Sequence, residues 1–205
     1  MLEVLVSPAF AIVGAYLLGS IPTSFLAGRI ARVDLRQHGS RNLGATNVWR
    51  VLGPRYAIPV GLIDVAKGIV AAVLLGPLGG TDPLMPLMAG AAAILGHVFP
   101  VFLGFKGGKG VATAAGVLLG VAPAAVGLTV FAWLICLLAT GYVSVASMTA
   151  AVVFPVAAWL VQPDRPHVIV AGLAVGGFVF YTHRSNIRRL MDGTESRFGH
   201  RRKAA

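Results

Sequence analysis

The sequence predicts an all-α integral membrane protein with seven transmembrane helices, its N-terminus outside and its C-terminus in the cytoplasm. Of its 205 residues, 57% are hydrophobic and 12% are charged, and the mean hydropathy is +0.81. This composition lies outside the range of soluble globular domains. The net charge of +10 comes mainly from short segments between apolar runs, which is the pattern that membrane orientation produces. We therefore expect membrane lipids as partners and no nucleic acid.

Six apolar stretches are candidates for spans, because a transmembrane helix needs roughly 20 mostly apolar residues. They are residues 4–28, 55–76, 84–104, 111–140, 143–162 and 167–183. The first is expected to be a retained span and not a signal peptide, because no small-residue cleavage site follows it. We also expect residues 1–205 to form a single polytopic domain.

The stretch 111–140 is too long for one comfortable span and short for two, at a rise of about 1.5 Å per residue. We predict that it crosses the membrane twice, as two short helices that turn near Ala122 and Pro123. The reason is charge: basic residues crowd the loop after the first span, the loop around Lys106 and Lys109, and the tail from Arg184. All three segments face the cytoplasm only if 111–140 crosses twice.

The loop "GFKGGKGVAT", residues 104–113, resembles the phosphate loop of nucleotide-binding proteins but fails its pattern. Gly104 precedes Gly108 by one residue too few, Gly110 replaces the Ser or Thr that would bind magnesium, and no strand is predicted before it. Glycines that form a backbone anion nest, a helix beginning after Gly110, and Lys106 and Lys109 all favour an anion site. The alternative is a flexible turn whose lysines only orient the chain.

The segment "GSRNLGATNVWR", residues 39–50, is rich in hydrogen-bond donors and has no carboxylate. Recognition of a phosphate requires this composition, because phosphate offers acceptors and negative charge. The alternative is a polar loop whose Asn and Ser residues cap helices. The donors are Ser40, Arg41, Asn42, Thr46, Asn47 and Arg50.

Two further pairs of polar residues lie near predicted span ends. His183 and Asn186, in "THRSNIRRL", are one turn apart on a helix face and suit binding of a hydroxyl or phosphate. The alternative for His183 is an ordinary interfacial polar residue. Ser144 and Ser147 are also one turn apart, and their alternative role is helix packing.

Three other chemically capable side chains lie within apolar runs. Asp64 and Lys67 are three residues apart, so we expect a local ion pair that supports the site. The single cysteine, Cys136, is expected to serve packing. No G-x-S-x-G elbow, aspartate cluster or zinc ligand set occurs, so we predict no metal, no cofactor and no nucleotide.

Four segments resemble, in order and spacing, the signature blocks of the bacterial membrane acyl-phosphate:glycerol-3-phosphate acyltransferases, the PlsY family. They are "GSIPTSFLAGR", "DLRQHGSRNLGATNVWR", "GHVFPVFLGFKGGKGVATAAGV" and "HRSNIRRLMDGTESRF". The sequence departs from the family at one visible place. The family usually has G-S-G-N where this chain has Gly39, Ser40, Arg41 and Asn42.

The resemblance implies an enzyme of the bacterial cytoplasmic membrane, with its active site on the cytoplasmic face. It would transfer a fatty acyl group from acyl phosphate to the sn-1 hydroxyl of glycerol 3-phosphate, giving lysophosphatidic acid and phosphate in the first acylation of phospholipid synthesis. Residue patterns and resemblance together predict the catalytic residues Ser40, Arg50, Lys109, His183 and Asn186. The predicted substrate-binding residues are Asn42, Thr46, Asn47, Lys106, Gly107, Gly108, Gly110, Ser144 and Ser147.

Two questions stay open at this point. The base that accepts the proton of the attacking hydroxyl is either His183 or a substrate phosphate. The alternative function is a transporter or exchanger for a phosphate-containing anion. Against it, the polar groups fall on one predicted face, the outer loops are short turns, and no internal repeat occurs.

Overall fold

The computed structural model describes residues 7–198, and the regular structure in that range is entirely helical, as predicted. The first three residues of the predicted span 4–28 lie outside this range. A π-helical turn, Ala71–Leu75, joins α4 to α5, and a 3₁₀ turn, Val101–Leu103, follows α6. The helices are α1 Pro8–Ser20, α2 Thr23–Ile30, α3 Ala45–Leu52, α4 Pro54–Val70, α5 Gly76–Leu78, α6 Met85–Val98, α7 Val111–Val121, α8 Pro123–Thr140, α9 Val143–Val161, α10 Pro166–Thr182 and α11 Arg184–Met191.

Five helical stretches of the described chain are long and apolar enough to cross a membrane: Pro8–Ile30, Pro54–Leu78, Met85–Leu103, Pro123–Thr140 and Val143–Val161. A sixth is obtained if α10 and α11, which are bent by 56°, are counted as one span. The 11 residues of α7 extend only roughly 16 Å, about half of the hydrocarbon core. The protein is therefore a multi-pass membrane protein, but the predicted count of seven spans is not confirmed.

Prolines set two of the helix breaks. The predicted break near Ala122 and Pro123 is confirmed: α7 ends at Val121, and Ala122 has φ −148° and ψ 62°. The residue before a proline is disfavoured in the α conformation, while a proline fits the first turn of a new helix. Pro22 similarly separates α1 from α2, which divides the first predicted span into two helices.

The chain divides into two compact units between Pro123 and Ala124. In the first unit, α1 packs on α6 and α4 packs on α7. Four glycines let these backbones approach: Gly19 and Gly96 between α1 and α6, and Gly68 and Gly116 between α4 and α7. A Cβ atom on any of the four would lie 2.0 to 2.2 Å from a carbonyl oxygen of the facing helix. Small residues are what close helix packing in a bilayer requires.

The second unit contains α8 to α11, and α9 packs on α10 within it. Gly172 lies against the ring of Phe154, where a Cβ would be 2.6 Å from Cδ1. Phe154 is 2% exposed, so this contact is part of the interior of the unit. The polar side chains predicted for the site lie at the ends of these helices and are described below.

Candidate active site

The loop before α3 is braced by one buried amide. Asn47 is 1% exposed, and its Oδ1 accepts a hydrogen bond from the Ser40 N–H at 2.8 Å. Its Nδ2 donates to the carbonyls of Leu35 and His38, at 3.3 and 3.2 Å. Asn47 therefore fixes the loop to α3. That it also contacts a substrate stays a prediction.

Two residues of this loop have left-handed backbone: Gly39 with φ +63° and Arg41 with φ +60°. A Cβ on Gly39 would lie 2.3 Å from Asn47 Oδ1, so the position needs glycine for space as well as for conformation. Arg41 occupies the place where the resembled family usually has glycine. A side chain in the left-handed region costs roughly 1–2 kcal/mol, so this chain holds a strained residue where glycine would be relaxed.

The glycine-lysine loop is fastened to the end of α6 by its own backbone. The Gly107 N–H donates to the Val98 carbonyl at 3.0 Å, and the Gly108 N–H donates to the His97 carbonyl at 3.1 Å. These two N–H groups are therefore committed within the chain, so the expected anion nest is not formed by them. Gly110, with φ +80°, caps α7, and the first N–H groups of that helix have no acceptor within it.

The two predicted polar segments of the first unit meet at Gly108. A Cβ on Gly108 would lie 2.6 Å from the carbonyl oxygen of Leu43 and 2.2 Å from His97 Nε2. Only a glycine fits between these groups. The structure thus brings the loop 39–44 against the loop 104–110, which sequence spacing could not predict. Of the other predicted residues here, Lys106 is exposed, and the partly buried ones are Ser40, Asn42, Thr46, Arg50 and Lys109.

The predicted ion pair of α4 is confirmed. Lys67 Nζ lies 3.0 Å from Asp64 Oδ1, and both side chains are almost completely buried. Asp64 Oδ1 also accepts a hydrogen bond from Thr23 Oγ1 at 2.6 Å, and His97 Nδ1 lies 3.6 Å from it. His97 was not among the predicted site residues.

In the second unit the carboxylate of Glu195 accepts hydrogen bonds from three side chains. Two of them, Ser144 and Asn186, were predicted site residues, and Arg189 was not. Glu195 Oε1 accepts hydrogen bonds from Ser144 Oγ at 2.8 Å and Asn186 Nδ2 at 2.7 Å. Its Oε2 accepts one from Arg189 Nε at 2.7 Å. Burial raises the pKa of Glu195, but the hydrogen bonds from Asn186, Arg189 and Ser144 and the charge of Arg189 outweigh it, so the pKa lies below its ordinary value of 4.5. Sequence reasoning missed Glu195, although it stands out as a carboxylate in a basic tail.

His183 lies at the bend between α10 and α11, not on one continuous helix with Asn186 as the periodicity predicted. The His183 side chain is 3% exposed, and its Nδ1 lies 2.8 Å from the carbonyl oxygen of Val179. Because a carbonyl only accepts, Nδ1 carries the proton. In the neutral ring Nε2 is then the nitrogen that carries a lone pair, which is the acceptor that a general base requires.

The two inner serines differ in their surroundings. Ser144 contacts Glu195. Ser147 Oγ instead donates to the Val143 carbonyl at 2.8 Å and accepts from Trp133 Nε1 at 3.4 Å. Ser147 therefore takes part in packing between α8 and α9, and Ser144 is the serine that joins the polar cluster of the second unit.

The helical fold and its donor-rich loops define the chain as a multi-pass membrane protein with polar groups suited to an anionic ligand. A family model described as glycerol-3-phosphate acyltransferase matches residues 9–193. The chain belongs to this family. It is 42% identical to the glycerol-3-phosphate acyltransferase of Chlorobaculum parvum, covering 91% of this chain and 95% of the relative, and 42% identical to that of Chlorobaculum tepidum, covering 94% and 97%.

Solved structures agree with this membership. The fold is similar to a crystal structure of PlsY, an integral membrane glycerol 3-phosphate acyltransferase, in its glycerol 3-phosphate form. The TM-score is 0.88 at 41% identity, covering 94% of this chain and 96% of that one. A lysophosphatidic acid form of PlsY gives a TM-score of 0.85 at 40% identity, covering 94% and 95%.

Replacing Arg41 by glycine is expected to stabilise the protein. Glycine relieves the left-handed strain, but it also makes the unfolded chain more flexible, which offsets part of the gain. The net increase in the free energy of unfolding is about 1 kcal/mol. This corresponds to a rise of roughly 2–4 °C in the unfolding midpoint. Thermal unfolding of the purified protein in detergent measures this. Arg41→Ala is the matched control, because it removes the same charge and keeps the Cβ. An equal gain from both substitutions would contradict the backbone explanation.

Glu195→Gln is expected to destabilise the protein at pH 7 and to remove part of its acid sensitivity. Because the pKa of Glu195 is lowered on folding, its stabilising effect is present above the ordinary value of 4.5 and is lost as pH falls through the lowered pKa. The unfolding midpoints of the wild type and of Glu195→Gln should therefore differ at pH 7 and converge as the pH is lowered below 4.5. A difference that stays constant over this range would contradict the assignment.

Proposed function

We propose that this protein transfers a fatty acyl group from an acyl phosphate to the sn-1 hydroxyl of glycerol 3-phosphate. The products are 1-acyl-glycerol 3-phosphate, or lysophosphatidic acid, and inorganic phosphate, in the first acylation of phospholipid synthesis. The observation that carries the proposal is the family match over residues 9–193. The glycerol 3-phosphate and lysophosphatidic acid forms of the similar solved structures support it.

The reaction suits a chain without an evident covalent nucleophile. The substrate hydroxyl oxygen attacks the acyl carbonyl carbon, a new ester C–O bond forms, and the C–O bond to phosphate breaks with its electron pair on the phosphate. The hydroxyl proton passes to His183 Nε2 or to a phosphate oxygen. Because phosphate is already a good leaving group, positioning and charge stabilisation suffice as catalysis.

Both substrates carry phosphate, so the proposal needs cationic and donor groups for two anions. In the first unit we assign this role to Arg50 and Lys109, supported by their partial burial beside loops that meet at Gly108. The remaining donors there are Ser40, Asn42, Thr46, Lys106 and Gly110, while Gly107, whose N–H is bound by Val98, would shape the loop. In the second unit we assign Ser144, His183 and Asn186 to the same reaction, and the family match across both units supports treating residues 1–205 as one domain.

We further propose seven spans in the bacterial cytoplasmic membrane, with the N-terminus outside and the site on the cytoplasmic face. The break at Ala122 and the concentration of basic residues in three segments support this topology.

Labelling of single cysteines in a Cys136→Ala background tests the topology. A membrane-impermeant thiol reagent on intact cells should label Thr81→Cys and Asp164→Cys, and should label Gln37→Cys and Asp192→Cys only after lysis. All four positions are exposed. If residues 111–140 cross only once, Asp164→Cys will be protected and Asp192→Cys will be labelled from outside.

Turnover by the purified protein tests the function. With palmitoyl phosphate and glycerol 3-phosphate in the presence of EDTA, we expect lysophosphatidic acid and phosphate in equal amounts. Lys109→Ala and Arg50→Ala should each lower kcat/KM by roughly 100-fold or more, because each removes a charged group from the transition state.

Arg55→Ala is the matched control for these variants, because it removes an exposed basic residue from the first turn of α4. It should keep wild-type turnover. A folded wild-type preparation that forms no lysophosphatidic acid would overturn the proposed function. Uptake of glycerol 3-phosphate into proteoliposomes without chemical change would favour the transporter alternative.

A further inference from the structure

A buried cluster of charged and polar groups lies behind the glycine-lysine loop. Its centre is Asp64 Oδ1, which contacts Thr23 Oγ1 at 2.6 Å, Lys67 Nζ at 3.0 Å and His97 Nδ1 at 3.6 Å. Lys67 Nζ also donates to the carbonyl of Ile21, beside the break between α1 and α2. Ionisable groups within membrane-spanning segments are costly and are retained where they serve a function.

His97 connects this cluster to the loop. One edge of its ring faces Asp64 through Nδ1, and the other edge lies under Gly108, where a Cβ would be 2.2 Å from Nε2. Its own carbonyl accepts the Gly108 N–H at 3.1 Å. The loop backbone at Gly108 is therefore held by His97 both through the main chain and through the ring.

Two residues of this cluster, Thr23 and His97, line a small cleft together with the loop. Ser20, Thr23, Ser24, His97, Gly107 and Gly108 all face it. The hydroxyls of Ser20 and Ser24 are buried there and have no hydrogen-bond partner within residues 7–198. The surroundings of His97 are thus polar on the side of the loop, unlike the apolar contacts that ordinary helix packing would give it.

We infer that His97 is a positioning residue for the acyl transfer, held by Asp64 and setting the place of Gly108 and, through it, of Lys109. This rests on the proposed function for its catalytic consequence. Lys109 follows Gly108 directly, so a shift of the Gly108 backbone moves the Lys109 Cα with it. A displacement of about 1 Å in a positioned catalytic group can cost about 100-fold in rate.

The variant that isolates this role is His97→Asn. Its amide nitrogen takes the place of Nδ1 and keeps a polar contact toward Asp64, so the buried ion pair is preserved. It removes the Nε2 edge beneath Gly108. The complementary variant, His97→Gln, places an amide near Nε2 and refills that space, so it should recover part of what His97→Asn loses.

Hydrogen–deuterium exchange measures the loop directly and does not depend on activity. In His97→Asn the amides of residues 104–110 should exchange faster, because Gly107 and Gly108 lose a fixed acceptor geometry, while peptides from α4 and α7 stay protected. Thr129→Val is the control, because it removes a buried hydroxyl of α8 that bonds the Ala125 carbonyl. Unchanged exchange in the loop would overturn the inference.

Kinetics then test the link to Lys109. We expect His97→Asn to lower kcat/KM by about 10-fold to 100-fold with an unfolding midpoint like that of the Thr129→Val control. In a Lys109→Arg background the same substitution should cost much less, because both changes disturb the same contact. Additive losses, or full activity of His97→Asn, would overturn the inference.

The assay of the wild type separates failure of the proposed function from failure of the His97 inference. If the proposed function is wrong, the wild type itself will show no turnover. The exchange experiment would still decide whether His97 positions the loop.

Discussion

The polar interior of the first unit depends on the carboxylate of Asp64. Pro22 breaks the first apolar stretch, and a broken helix inside a membrane leaves backbone carbonyls that need a donor. The Lys67 ammonium group donates a hydrogen bond to the Ile21 carbonyl. The Asp64 carboxylate neutralises the positive charge of this buried ammonium group. Thr23 and His97 then converge on the same oxygen from α2 and from the end of α6. Removing the carboxylate would leave Lys67 as an unpaired buried charge. The helix break at Pro22, the ion pair and the loop next to His97 therefore all depend on Asp64.

The shape of the two loops depends on left-handed backbone. Gly39 and Arg41 turn the first loop, while Gly104, Phe105 and Gly110 turn the second. Sequence alone indicates the glycines, because glycine is the ordinary residue for positive φ. It does not indicate Arg41 and Phe105, which have positive φ although they carry a side chain. The backbone before Arg41 is held by the Asn47 side chain, whose amide binds Leu35, His38 and Ser40 together.

What the sequence could predict depended on local chemistry. The break at Ala122 follows from Pro123, and the Asp64–Lys67 pair follows from a three-residue spacing on a helix. The contacts that were missed join residues far apart in sequence. Glu195 is 51 residues from Ser144, and nothing in a search for phosphate-binding donors would select an acceptor. His97 was overlooked because its partner Asp64 lies on another helix. The bend at His183 was missed because helical periodicity continues through it.

Three carboxylates near the polar segments, those of Asp34, Asp64 and Glu195, are bound by donors of their own unit. A hydrogen bond from Arg36 is the main cause that lowers the pKa of Asp34 to about 2, Asp64 is paired with Lys67, and Glu195 accepts from Ser144, Asn186 and Arg189. A bare carboxylate would repel a phosphate, whereas one saturated by donors presents little negative charge to a ligand. The same bonds fix the side chains of Asn186 and Ser144. Asp34, Asp64 and Glu195 therefore orient neighbouring donors and cations instead of adding bare negative charge to the polar segments.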